Sequence, residues 1–291
     1  MTSETQARGR EDGPLKGDDV EIRIRDGKPW YSGEVFSDWL SVDVKRSMIS
    51  ASGSFSIKAA HRRPWPLRPE VSVAIRVAGE SIMEGFVDGL TSKVSGSSTA
   101  LAFTGRDNTA ALVDCSATNE PGEWRGLTVR QILEEIAKPF DVPISAQGDR
   151  GSTAADVMPV FKLQPGERAW NAIERITRQK GLMAYAYGDG TLRLARVGET
   201  WSDIELVEGE RGNVLSSSIA WTHADRFSTI IVRGQSAGSD DGWGSGALEP
   251  EGTAVDELVS RHRPLIILAS GQITSADARL QAEWESSVRA A

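Results

Sequence analysis

The sequence predicts a β-rich α+β protein in three sections. A first antiparallel sheet curls into a barrel or sandwich, an α/β section follows, and a second β section closes on a helix. Three observations carry this. Short period-two segments crowd residues 18–104. Two amphipathic helix patterns follow, near 128–140 and 167–180. β-branched runs return after residue 201 and stop at a helix start near 274. A chain of 291 residues that is 39% hydrophobic can bury a sizeable core, and more than one domain is the natural expectation.

Residues 1–17 are polar and charged with no apolar core segment, so they read as a disordered leader and not as a secretory signal. The run Glu21-Ile22-Arg23-Ile24-Arg25 alternates and meets Asp26-Gly27, a hairpin signal. Ser41-Val42-Asp43-Val44-Lys45 and Ser54-Phe55-Ser56-Ile57-Lys58 alternate again. Val71, Val73, Ile75 and Val77 form another set, closed by Ala78-Gly79-Glu80, and segments at 82–87 and 100–103 complete the sheet. Residues 61–69 hold three prolines, which remove three ladder donors, so this piece reads as a solvated crossover loop carrying Trp65.

Thr128-Val129-Arg130-Gln131 has the capping-box pattern, and Ile132, Leu133, Ile136 and Ala137 follow at helical spacing. The second helix, 167–180, presents Trp170, Ile173, Ile176 and Thr177 on one face, with Gly181 suited to the left-handed residue beyond its end. A hairpin then turns at Gly188-Asp189-Gly190. In the last section, residues 206–219 read as strand, turn, strand, and 226–234 as a strong β segment. Residues 237–253 read as a long mobile loop, 263–268 as a strand, and Thr274 as the cap of the final helix. The sheet begun at Leu206 has few partners left to pair with.

Composition excludes several functions. The net charge is -8, and acidic chains make poor nucleic-acid binders because counterion displacement needs a basic face. No run approaches the roughly 18 apolar residues of a membrane span. The single cysteine, Cys115, excludes an internal disulfide framework and reads as a small buried packing residue. His61, His223 and His262 stand in no metal-ligand spacing, and no zinc-protease, phosphate-loop or nucleophile-elbow motif occurs. Asp107 with Asp114, and Glu134 with Glu135, are the nearest approach to a carboxylate pair, but nothing local fixes the separation that glycoside chemistry requires. No cofactor, metal or catalytic residue is expected. The residues alone describe an acidic, β-rich, multidomain protein that binds other proteins.

Residues 104–115, TGRDNTAALVDC, form the joint between the first two sections. The strand before it ends near Phe103. Gly105 permits a turn, and Arg106 and Asp107 hold it by an ion pair or by hydrogen bonds to backbone. Leu112 and its neighbours seat the α/β section, with Asp114 and Cys115 closing the joint.

This stretch resembles the segment that joins the first and second domains in baseplate hub proteins of Mu-like contractile-tailed phages. Other pieces agree in order: Trp39-Leu40-Ser41-Val42-Asp43-Val44-Lys45, Gly85-Phe86-Val87-Asp88, Gly122-Glu123-Trp124-Arg125-Gly126, Asp225-Arg226-Phe227-Ser228, and Arg261-His262-Arg263-Pro264 with the helix start at 273–278. Such hubs are similar to those of T-even phages and to the N-terminal part of type VI secretion spike proteins.

The resemblance implies a first β-barrel domain at 18–104, an inserted α/β domain at 105–200 and a second β-barrel domain at 201–291. Family members continue with strands that complete the second barrel, so here that barrel is expected to be incomplete. It implies a homotrimeric ring that adapts the sixfold tail tube to the threefold spike. The implied partners are a spike protein and tail-tube or tube-initiator proteins, with no nucleic acid and no membrane insertion. The implied location is the virion baseplate, after synthesis in the host cytoplasm. Edge strands near 41–46 and 226–234 are the expected subunit contacts, through Val42, Val44, Arg226, Phe227 and Val232. The alternative is a cell-wall-binding or muralytic tail protein acting through the α/β domain.

Overall fold

The computed structural model describes residues 20–25, 34–36, 39–59, 69–95, 98–146, 156–196, 205–209, 212–214, 216–218, 222–235 and 249–290. The expected leader, the Asp26-Gly27 turn, residues 61–68 of the proline-rich loop and residues 237–248 of the long loop lie outside these. The chain divides into two compact units. The first holds Met1–Arg46, Gly53–Asn108 and Tyr187–Gly190, and the second holds Ser47–Ser52, Thr109–Ala186 and Thr191–Ala291. The boundary expected near residue 200 therefore does not separate compact units.

The first unit is built on one seven-stranded antiparallel sheet. Its strands are β1 (Val20–Arg25), β2 (Glu34–Phe36), β3 (Trp39–Lys45), β4 (Ser54–Ala59), β5 (Ser72–Val77), β6 (Glu80–Ser95) and β7 (Ser98–Asp107). They lie in the order β2-β1-β5-β6-β7-β4-β3. Alternation decides which face is buried. Ile22 and Ile24, Phe55 and Ile57, Val73 and Ile75, Met83, Val87 and Phe103 form a single core, with Phe36, Val42 and Val44 joining from β2 and β3. One face of all seven strands converges on that core, which a single sheet achieves by twisting and coiling back on itself. The β5–β6 hairpin turns on two residues, Ala78 and Gly79, both with positive φ, as a primed turn requires. β6 is longer than the sequence suggests and pairs with β7 as far as Ser95–Ser98.

The second unit contains two cores. The larger lies among α1 (Ala110–Asp114), β8 (Glu123–Thr128), α2 (Val129–Ala137), β9 (Ile144–Ala146), β10 (Val157–Lys162), α3 (Ala169–Gln179), β11 (Met183–Ala186) and β12 (Leu192–Ala195). The helix patterns hold because each apolar stripe has a core to meet. Ile132, Leu133 and Ile136 of α2 and Ala172, Ile173 and Ile176 of α3 are fully buried together, each worth roughly 1.5–3 kcal/mol for a branched side chain. Both halves of the capping box at α2 form, from the Thr128 hydroxyl and the Gln131 side chain. Gly181, just past α3, has φ +63°.

The smaller core belongs to β13 (Thr229–Gln235), β14 (Glu251–Val255), β15 (Pro264–Gln272) and α4 (Ser275–Ala290). Ile230 and Val232 on β13 pack on Ala278 and Ala282 of α4 and on Ile273. β13 pairs antiparallel with β14 and parallel with β15. Two expectations fail here. The described residues of 206–219 are not strand; among them Val214 donates to the Val207 carbonyl and Gly212 to that of Gly209. The end of the expected mobile loop, from Glu251, is strand β14. Among the described residues, no helix is long and apolar enough to cross a membrane.

Candidate functional site

The joint is built differently from its sequence reading. β7 does not stop at Phe103. It stays paired with β4 and β6 through Arg106 and Asp107, so the chain leaves the first unit after Asn108. Gly105 is therefore inside a strand and makes no turn. It is a glycine because its neighbours leave no room: an added Cβ would sit 2.2 Å from the Phe86 carbonyl oxygen and 2.3 Å from the Phe55 ring. Arg106 pairs with Asp88 on β6 at 2.8 Å, half-exposed. Asp107 is buried and accepts the Gly53 amide at 2.6 Å, while its own amide donates to the Gly53 carbonyl. It fastens the residue before β4 to the end of β7, not a turn at Gly105.

On the second unit's side, Thr109 is buried and its hydroxyl donates to the Ala51 carbonyl. Leu112 is fully buried in the larger core. Asp114 and Cys115 are exposed. The reading of Cys115 as a buried packing residue is thus corrected. Its contribution is through backbone: its amide closes α1 on the Ala111 carbonyl, and its carbonyl accepts the Ala169 amide at the start of α3. It follows a helix of only five residues with extended backbone, φ -101° and ψ 150°, and its side chain is exposed.

The expected contact residues separate into two groups. β3 is an edge strand, and Val42 and Val44 rest half-buried on the first core. β13 is not an edge. It is the central strand of its sheet, so its backbone is already paired on both sides. Val232 is fully buried. Arg226 makes two hydrogen bonds of 2.9 Å to Asp256, with the two side chains only 13% and 10% exposed. Phe227 lies under the guanidinium groups of Arg263 and Arg289, at 5.3 and 5.5 Å. Ser228 bonds Arg263 through both backbone and hydroxyl. The Asp225-Arg226-Phe227-Ser228 run is thus a clasp that joins the starts of β13 and β15 to the β14 end.

The free edges of the last sheet are β14 and β15. β14 is short and packs against α4. β15 is longer, carries no charged residue, and exposes Ile266 and Leu268 by 52% and 77%. No sequence rule distinguished it from β13, since both are apolar β-branched runs.

The carboxylates singled out in the sequence go to separate places. Asp107 and Asp114 fall in different units. Glu135 accepts the Trp124 indole N–H, and Glu134 pairs with Arg130 at 2.7 Å. Both line an open cleft of about 550 Å³ beside Lys138 and Asp141. Among the described residues, no group of three or more His, Cys, Asp or Glu is gathered to hold a metal ion.

Two family models match in tandem, and they meet at the observed unit boundary. Residues 30–107 match the N-terminal domain described as Mu phage baseplate assembly protein GpP-like. Residues 109–196 match the second domain described as baseplate hub protein gp44-like. The chain is 32% identical over 259 residues to the baseplate hub protein gp44 of Escherichia phage Mu, across 86% of this chain and 67% of that protein. Among solved structures, the 43 kDa tail protein of prophage MuSo2 from Shewanella oneidensis matches with a TM-score of 0.72 at 24% identity, over 92% of this chain and 78% of that one. A tail protein from Neisseria meningitidis MC58 matches with a TM-score of 0.66 at 22% identity, over 91% and 77%. Both share the fold.

Proposed function

Since the chain belongs to the Mu gp44-like baseplate hub family, we propose that it is a structural part of a phage tail baseplate, working as a homotrimeric hub ring between tail tube and central spike. The observation that carries this is the 32% identity to the Mu hub protein, sustained over most of both chains. In this reading each subunit contributes two β domains, and three subunits close a ring of approximate sixfold character. Such an adaptor acts through its interfaces and needs no turnover. Its partners are the spike and the tube or tube-initiator proteins. Its place is the virion, after synthesis in the host cytoplasm.

The subunit contacts follow from the edges. Natural sheets protect free edges with charge, bulges or brevity. β2 has three residues. β3 carries Asp43 and Lys45 and a register shift between Trp39 and Ser41. β15 has nine residues and no charged side chain, and its register shift against β13 falls only beyond Leu268. The contact expected at β13 moves to β15, with Val42 and Val44 of β3 retained as the second candidate. Two unlike open edges in one chain suit a head-to-tail contact, which is the kind that closes a ring.

Size-exclusion chromatography with light scattering tests this. The expected mass is three times the 31.4 kDa of one chain. The I266K/L268K variant should run as a single chain. A wild-type mass of one chain at every concentration would overturn the hub reading, and an unchanged trimer in the variant would overturn the β15 contact.

A further inference from the structure

Three successive residues at the end of α3 reach into the last section of the chain. The Arg178 guanidinium lies over the Trp284 ring of α4 at 5.3 Å. The Gln179 amide donates to the Gln272 carbonyl at the end of β15, at 3.0 Å. The Lys180 ammonium pairs with Asp277 of α4 at 2.8 Å, the two side chains being 6% and 12% exposed. Both sections belong to the second compact unit, yet their apolar cores are separate clusters. The named links between them are polar. Gly181 adds a close approach, since a Cβ there would sit 3.3 Å from the Leu280 carbonyl oxygen.

The chemistry of the pair is directional. Lys180 caps the C-terminus of α3, and its amide still bonds the Ile176 and Thr177 carbonyls. Asp277 is in the first turn of α4, its amide held by the Thr274 hydroxyl. The negative end of one helix therefore faces a cation, and the positive end of the next faces an anion. The same two groups neutralise each other. A buried pair of this kind adds little net stability over apolar packing, but losing one partner leaves a desolvated charge. Loss of one charge is therefore felt at the seam between the two cores.

We propose that Lys180 and Asp277 form a latch, and that the layer of β13, β14, β15 and α4 is a subdomain able to open from the α2–α3 core while that core stays folded. The device would let the last section open and re-dock with the remainder of the second unit intact.

Amide hydrogen exchange on the full chain tests it. Lys180→Met keeps the stem and removes the charge. The amides of α4 and β14 should then exchange faster by on the order of a hundred-fold or more, while α2 and the middle of α3 keep wild-type protection. Equal acceleration in both regions, or none in either, overturns the latch. Should the variant fail to fold, the wild-type chain in low urea gives a second measurement. There α4 and β14 should open together at lower denaturant than α2 and α3, and one shared opening overturns the proposal.

Discussion

Arg226 separates an internal role from an intersubunit one. Replacing it with Met leaves the Asp256 carboxylate without its two 2.9 Å hydrogen bonds in a site where the side chain is 10% exposed. Breaking one partner of a buried pair costs about 3–5 kcal/mol. The lower end applies here, because the Leu258 amide still donates to Asp256 at 3.1 Å and satisfies part of the charge. A loss of about 3 kcal/mol is therefore expected. The Asp256→Asn change should cost less, and the double variant should cost less than the sum of the two. Urea titrations of the last section, followed by the exchange of β13 and β14 amides, measure all three. The loss should not vary with protein concentration, because both partners lie in one chain. A loss below about 1 kcal/mol, the value for exposed pairs, would refute the internal clasp. So would a loss that disappears as concentration rises, which would mark Arg226 as an assembly residue.

Two further outcomes follow from the joint. Gly105→Ala should destabilise the first unit by about 1–3 kcal/mol or more, because the new methyl meets the Phe86 carbonyl and the Phe55 ring and strands cannot separate locally; a thermal melt unchanged from wild type would show that β7 has slack there. Cys115 should react with a thiol reagent in the folded protein without prior unfolding, and Cys115→Ser should leave stability within about 0.5 kcal/mol of wild type. Protection of the thiol until unfolding would restore the buried packing role.

Local signals were readable where one residue type has one physical use. The capping box at Thr128 and the left-handed Gly181 are such cases, since each satisfies a helix end that would otherwise expose unpaired groups. The alternation of Ile22, Ile24, Phe55, Ile57, Val73 and Ile75 was likewise enough to assign strands and a buried face. The order of strands was not. Apolar alternation says which side of β13 faces the core, but not whether β13 lies at the edge or the centre. That depends on β14, whose Glu251-Gly252-Thr253-Ala254-Val255 looks like loop in sequence and becomes strand by pairing with β13. Gly252 in particular is required by approach, since a Cβ would meet the α4 backbone at 2.1 Å.

The joint shows the same limit from the other side. A polar run with a glycine, Thr104-Gly105-Arg106-Asp107, has the composition of a turn, and composition cannot tell a glycine chosen for its φ from one chosen for its missing side chain. Here the second cause holds. Phe55 needs the space beside β7, and filling that space with a ring buries far more apolar surface than a β-carbon at 105 would. Once Gly105 is fixed in the strand, Arg106 and Asp107 must follow on alternate faces: Arg106 half-exposed toward Asp88, Asp107 buried against Gly53. The break then falls at Asn108, where the two family models also divide. The position of the boundary is thus a consequence of packing inside the first sheet, and the polar character of the run reflects a buried backbone tie at its end.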